Sequence, residues 1–208
     1  LERPNQFING QWVSSTSTLR HTVINPYTEQ NLGWAALGNA ADVNAAVVAA
    51  HAAWPSWSAL TNTERAQWLG KLANALKSRI ETIGALESAE MGSPISFSLL
   101  AQAQLPVMIM ASYAEMVAAP AEVERIGNSR VVREPVGVVA AITAWNYPLL
   151  LLFGKVAPAM AAGCTVVAKP SEVTPLTSYL LADAMVEIGF PKGVFNLVNG
   201  TGMEVGEA

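Results

Sequence analysis

One cysteine, Cys164, is all the thiol this 208-residue chain has. No disulfide can form within it, and the expected setting is a reducing compartment, the cytoplasm. Histidine is almost as scarce: His21 falls in an early extended run and His51 in an alanine-rich helix. Neither joins Cys164 and carboxylates at metal-ligand spacing, so no metal site is expected. Charged residues make up 13% of the chain, against roughly 25% in typical domains. The 12 basic and 16 acidic residues leave a net charge of -4 and a pI near 5.2, with no basic patch for nucleic acid. No uninterrupted apolar run reaches the ~18 residues of a membrane span. The polar start LERPNQFINGQW lacks the features of a signal peptide. The expectation is a soluble protein with no nucleic-acid or membrane partner.

What is present is apolar: 51% of residues are hydrophobic, enough for a sizeable core in one large domain or two small ones. Three readings of that excess stay open: a large core, an absent half, or an oligomer interface.

Phe7-Ile8-Asn9-Gly10-Gln11-Trp12-Val13 reads as a hairpin turned by Asn-Gly. His21 to Ile24 is a short extended run closed by Asn25-Pro26. Asp42 to Trp54 is helical, with Pro55 expected to stop it. Thr61-Asn62-Thr63-Glu64 is a capping box. It opens a helix with one apolar stripe: Leu69, Leu72, Ala73, Leu76, Ile80 and Ile83. Leu99 to Val117 is a further helix, kinked or split by Pro106.

After Arg133-Glu134-Pro135 the pattern alternates. Val136 to Thr143 is a strand, Pro148 to Ala162 a helix with proline at its first position, and Thr165 to Lys169 a second strand. Thr174-Pro175 opens a helix ended by Gly189-Phe190-Pro191, and Val194 to Val198 is a third strand. Alternation of this kind specifies right-handed crossovers and a parallel sheet. The fold class is α/β: an N-terminal hairpin and helices over 1–130, then a partial Rossmann-like nucleotide-binding sheet over 131–208.

Ligands of such sheets lie beyond the carboxyl ends of the strands, which here are Thr143 to Tyr147, Lys169 to Glu172 and Asn199 to Gly206. The fingerprint G-x-G-x-x-G is absent after the first strand. Gly200-Thr201-Gly202 follows the third, as a plain turn or a phosphate cradle. Lys169 and Glu172 form either a solvated pair of little value or a donor and acceptor for a ribose diol or phosphate. Asn146 precedes the helix that Pro148 opens. It reads as an N-cap worth ~1 kcal/mol or as an amide donor aimed at a developing oxyanion. Cys164 starts a buried strand and reads as a structural thiol.

The series Phe7-Ile8-Asn9-Gly10-Gln11-Trp12, Asn25-Pro26, Arg133-Glu134-Pro135-Val136-Gly137-Val138, Trp145-Asn146-Tyr147-Pro148, Lys169-Pro170-Ser171-Glu172 and Gly189-Phe190-Pro191-Lys192-Gly193-Val194 resembles the aldehyde dehydrogenase superfamily. The resemblance covers nearly the whole chain. It implies oxidation of an aldehyde to a carboxylic acid through a cysteine thiohemiacetal, with NAD, or NADP, as hydride acceptor. It gives Asn146 the oxyanion, Lys169 and Glu172 the adenosine ribose, and Ile142, Thr143, Ala144 and Trp145 the cofactor path. Ser171 and Gly202 are further cofactor contacts, Lys155 a supporting residue near the active site, and Tyr147 an aromatic of the aldehyde channel. The family's nucleophile and its catalytic glutamate belong to a downstream segment outside these residues, and Cys164 matches neither. This chain is expected to be inactive alone and homo-oligomeric when completed. The alternative is a non-catalytic nucleotide-binding or assembly module. Met91-Gly92-Ser93-Pro94 stands where the family often has Gly-Lys-Pro.

Overall fold

The computed structural model describes residues 1–119 and 124–208. The chain opens with β1 (Glu2–Arg3), β2 (Asn5–Ile8), β3 (Gln11–Ser14), β4 (Arg20–Ile24) and β5 (Asn31–Ala36). Then come α1 (Ala40–Ser58), α2 (Asn62–Lys77), α3 (Ile80–Met91), the single turn α4 (Ile95–Phe97), a π-helical stretch Ser98–Gln104 and α5 (Leu105–Ala118). A small ribbon of β6 (Arg125–Ile126) and β7 (Ser129–Arg130) leads into β8 (Val138–Ile142), α6 (Pro148–Ala161), β9 (Thr165–Lys169), α7 (Leu176–Glu187) and β10 (Phe195–Leu197). A π-helical turn, Gly202–Gly206, follows.

β8, β9 and β10 run parallel, with Ile142 opposite Lys169 and Phe195 opposite Val166. The hairpin β2–β3 turns at Asn9-Gly10, both with positive φ, as a tight two-residue turn requires. Leu197 pairs with Phe7 antiparallel, so the hairpin extends the parallel strands into one sheet ordered β3-β2-β10-β9-β8. Gln6, fully buried, closes this seam: its amide donates to the Ala36 carbonyl at 3.1 Å and its oxygen accepts from Asn199 N–H at 2.7 Å. A second sheet, β1-β5-β4, lies earlier in the chain.

Strand alternation sorts the two faces of the main sheet. Ala141, Val166 and Ala168 enter the large core with Leu152, Phe153 and Val156 of α6. Thr165 and Val167 face α1 instead: the Thr165 hydroxyl donates to the Ala50 carbonyl at 3.0 Å, and Val167 packs with Ala46 and Ala50. By the same period Val138, Ala140, Ile142 and Lys169 belong to the α1 face.

Two local expectations are corrected, and a third, the split near Pro106, holds. Pro55 does not end its helix, which continues to Ser58. The extra turn places Trp57 in the core, where its Nε1–H donates to the Met160 carbonyl at 3.1 Å. Burial of that indole offsets the missing proline N–H. The apolar stripe from Leu69 to Ile83 spans two helices, α2 ending at Lys77 and α3 beginning at Ile80, and its period survives the break. Pro106 lies in the first turn of α5, where its missing N–H goes unmissed, and the preceding π-helical stretch absorbs the misfit. The helical run Ile95–Ala118, 24 residues with a mean hydropathy of 1.4 in its most apolar window, is long and apolar enough by those measures alone to cross a membrane. Only 33% of that window is buried within the chain.

Candidate active site and cofactor cradle

The carboxyl ends of β8 and β9 are joined by a hydrogen bond from Thr143 N–H to the Lys169 carbonyl at 3.1 Å. Lys169 is buried, and its ammonium is fully engaged. It donates to the Gly200 carbonyl at 2.7 Å, to the Pro170 carbonyl at 2.8 Å and to Glu172 Oε2 at 3.4 Å. Lys169 is therefore no solvated lysine: it ties the end of β9 to the turn after β10. The Glu172 carboxylate is half-buried and holds the weakest of the three contacts. Ser171 Oγ accepts from Val173 N–H at 3.3 Å, tightening the same turn.

The turn beyond β10 is built around small residues. A Cβ on Gly200 would lie 2.2 Å from Val205 Cγ2, so only glycine fits there. Thr201 caps the π-helical turn, its hydroxyl accepting from Glu204 N–H at 3.2 Å. Gly202 is exposed, and a Cβ there would meet nothing within 4 Å. The fold itself makes no demand for glycine at that position.

These strand ends meet at one cavity of about 320 Å³ on the α1 face, lined mainly by apolar side chains with Ile142, Lys169, Val205 and Gly206 among them. Val43 and Val47 of α1 form the opposite wall. Thr143, next in the chain after Ile142, is buried with its hydroxyl unpartnered but does not line the cavity, while Ala144 and Trp145 are exposed.

Asn146, Tyr147 and Lys155 do not line this cavity. They belong to the loop before α6 and to α6 itself, which packs the other face of the sheet. Pro148 opens α6 with Tyr147 as its N-cap residue, and no side chain caps the helix. The exposed amide of Asn146 is therefore not the cap that its position suggested. What holds this loop is its backbone. The Trp145 carbonyl accepts from the Thr174 hydroxyl at 3.3 Å, and the Asn146 carbonyl from Gln102 Nε2 at 3.4 Å. The Tyr147 ring sits edge-on to Phe97 with centroids 6.1 Å apart. Lys155 is exposed about two turns further along α6, its ammonium 3.4 Å from the Leu151 carbonyl. Cys164 is buried and unpaired. Among the described residues no group of three or more metal-ligating side chains forms.

Sequence reasoning missed Gln102, Thr174 and a buried acid pair, Glu87 and Glu90. The pair left a signal: the buried positions of α3 are Ile83, Gly84, Glu87 and Glu90, so both glutamates occupy the inward stripe of their helix. Burial raises the Glu87 carboxyl to about 8, helped by the charge of Glu90. Burial raises Glu90 to about 7, against hydrogen bonds from Leu176 and Thr177 that lower it.

The sequence profile of the aldehyde dehydrogenase family matches residues 12–208. The chain belongs to the aldehyde dehydrogenase family. A 3-succinoylsemialdehyde-pyridine dehydrogenase of a Pseudomonas species is 42% identical over 206 residues, which are 96% of this chain and 42% of that protein. Betaine aldehyde dehydrogenase of Bacillus subtilis is 36% identical, with 97% of this chain and 42% of the relative covered. The solved structure of a mutant aldehyde dehydrogenase C of Pseudomonas syringae, in complex with NAD+ and octanal, superposes with a TM-score of 0.93 at 42% identity. It covers 97% of this chain and 42% of that one. The chain thus spans 42% of the length of these aldehyde dehydrogenases.

Proposed function

We propose that these residues are the cofactor-binding part of an NAD-dependent aldehyde dehydrogenase. The observation that carries the reading is the cavity along the α1 face of β8 and β9, which reaches the strand ends at Ile142, Lys169 and the Val205-Gly206 turn, with the Glu172 carboxylate bonded to Lys169. An acceptor at a strand end suits a ribose diol, and the crevice there is where dinucleotides bind in such sheets. The 3.4 Å bond between Lys169 and Glu172 is the contact that a ribose hydroxyl would replace, since the two carbonyl bonds are shorter. Gly202, which the fold does not need as glycine, leaves room for close approach of a phosphate. Ser171, Thr143, Ala144 and Trp145 complete the path along the strand ends. When bound, NAD accepts hydride from the substrate. Asn146 then presents its exposed amide to the oxyanion that develops when the aldehyde is attacked, with Tyr147 beside the aldehyde channel and Lys155 in support. NADP is a second acceptor, and the completed enzyme is a homo-oligomer of the cytoplasm.

The nucleophile comes from outside these residues, because Cys164, the one cysteine, is 4% exposed. That burial also favours a second reading for the 208 residues taken alone: a nucleotide-binding module without turnover. Purified chain given NAD and common aldehydes is expected to form no NADH. Steady NADH formation that Cys164→Ala abolishes overturns the assignment of Cys164 as structural.

In the enzyme completed by its catalytic half, Glu172 disfavours a 2′-phosphate by charge, an effect that Lys169 blunts. Glu172→Gln is expected to narrow the ratio of NAD to NADP kcat/KM. An unchanged ratio removes Glu172 from the ribose site.

A further inference from the structure

The carbonyls of Trp145 and Asn146 are held from behind by Thr174, just before α7, and by Gln102 of the π-helical stretch. Both supports rest on α3, which packs against the π-helical stretch and α7. At that junction Glu90, 3% exposed, accepts Leu176 N–H at 2.5 Å, Thr177 N–H at 3.2 Å and the Thr177 hydroxyl at 3.1 Å. It fixes the start of α7 as a cap supplied by another helix. Glu87, one turn earlier, is fully buried with both carboxyl oxygens unpartnered. The Leu149 amide, in the first turn of α6, and the Thr177 hydroxyl are the groups near enough to favour its charge, yet neither closes a hydrogen bond to it.

We propose that Glu87 and Glu90 are positioning residues for the Trp145-Asn146-Tyr147 loop, Glu90 anchoring the start of α7 and Glu87 lodging as a neutral acid against the start of α6.

Among the described residues no cation pairs with these carboxyls. The π-helical stretch and α4 carry no ionisable side chain, and α6 carries only Lys155, whose ammonium is exposed. On α7, Asp183 is paired with Arg3 and Glu187 with Arg79, while Tyr179 engages Arg3 and Asn199. On α3 itself the remaining acid, Glu81, is exposed. A carboxylate without a counter-charge in such a place is expensive, which agrees with the raised Glu87 carboxyl. Ionising Glu87 puts an unpaired charge beside the Leu149 amide, and α6 must shift or admit water to accommodate it. Asn146 lies three residues before Leu149, so its loop moves with that event. The consequence for catalysis rests on the oxyanion role proposed above; the structural response does not.

The test is amide NMR of the 208-residue chain from pH 6 to 9.5 without cofactor or aldehyde, so a failure of the dehydrogenase reading leaves its outcome intact. The Leu149 amide and the Asn146 side-chain amide are expected to titrate together, with a midpoint near the value of about 8 assigned to Glu87. Glu87→Gln abolishes that titration, and Glu81→Gln leaves it in place. Glu90→Gln lowers the midpoint, because it removes the neighbouring negative charge. A capping role alone gives no such shift. Wild-type resonances that stay still over this range overturn the proposal even if every variant fails to fold. So does a titration that persists in Glu87→Gln.

Discussion

Asn146→Asp, in the protein completed by its catalytic half, is expected to fold as well as the parent and to lose ~10²–10³ of its kcat. The geometry removes the main competing explanation. No side chain caps α6, whose first position is proline, and Asn146 is exposed. A substitution there is expected to change stability by no more than about 0.5 kcal/mol. Aspartate keeps the size of the side chain and places a negative charge near a helix N-terminus, where it is tolerated. An ionised aspartate, however, has no proton to donate to an oxyanion. The expected pattern is an unchanged melting temperature and unchanged NAD affinity beside a collapsed kcat. Near-normal turnover of Asn146→Asp sinks the oxyanion role, since the loop would still be present and only the donor lost.

The contrast between the two halves of the chain shows which physical signals a sequence carries. From Val138 onward, strands and helices alternate in runs whose burial period is local, so β8, α6, β9, α7 and β10 were legible within a few residues. The Asn9-Gly10 hairpin was legible for the same reason, because its turn chemistry sits in two adjacent residues. The pairing of Phe7 with Leu197 was not, because it joins strands at opposite ends of the chain and no local pattern encodes it. The continuation of α1 past Pro55 was hidden likewise, since its compensation is a hydrogen bond from Trp57 to Met160. At the site the residue types of Lys169 and Glu172 were visible, but not their state. Whether Lys169 is solvated or buried depends on the Gly200 carbonyl, supplied by the far side of another crossover. For Asn146 the decisive fact was also non-local in kind: the loop is anchored through its carbonyls by Gln102 and Thr174, which leaves the side chain unoccupied by capping.

Stability of the chain is expected to fall as pH rises from about 5 to 8, the reverse of ordinary acid unfolding. Both members of the α3 acid pair titrate higher in the folded protein than the usual 4.5, Glu87 at about 8 and Glu90 at about 7. The folded state therefore holds protons that the unfolded chain has already released. Wherever the native state binds more protons, the unfolding free energy declines with pH. The contribution is whole below about 4.5, shrinks through neutrality and is gone once pH passes the folded value of Glu87. Each proton accounts for about 1.4 kcal/mol per pH unit while the difference persists. With relaxation and water entry discounting the buried pair, a net loss on the order of 3 kcal/mol between pH 5 and 8 is expected. Urea midpoints at unit pH steps measure it. Glu87→Gln, which keeps a neutral side chain of the same shape at every pH, is expected to flatten most of the decline, leaving the smaller share of Glu90. A wild-type profile that is level or rising over this range shows that the folded chain does not keep these protons, and that the pair is ionised or hydrated in place.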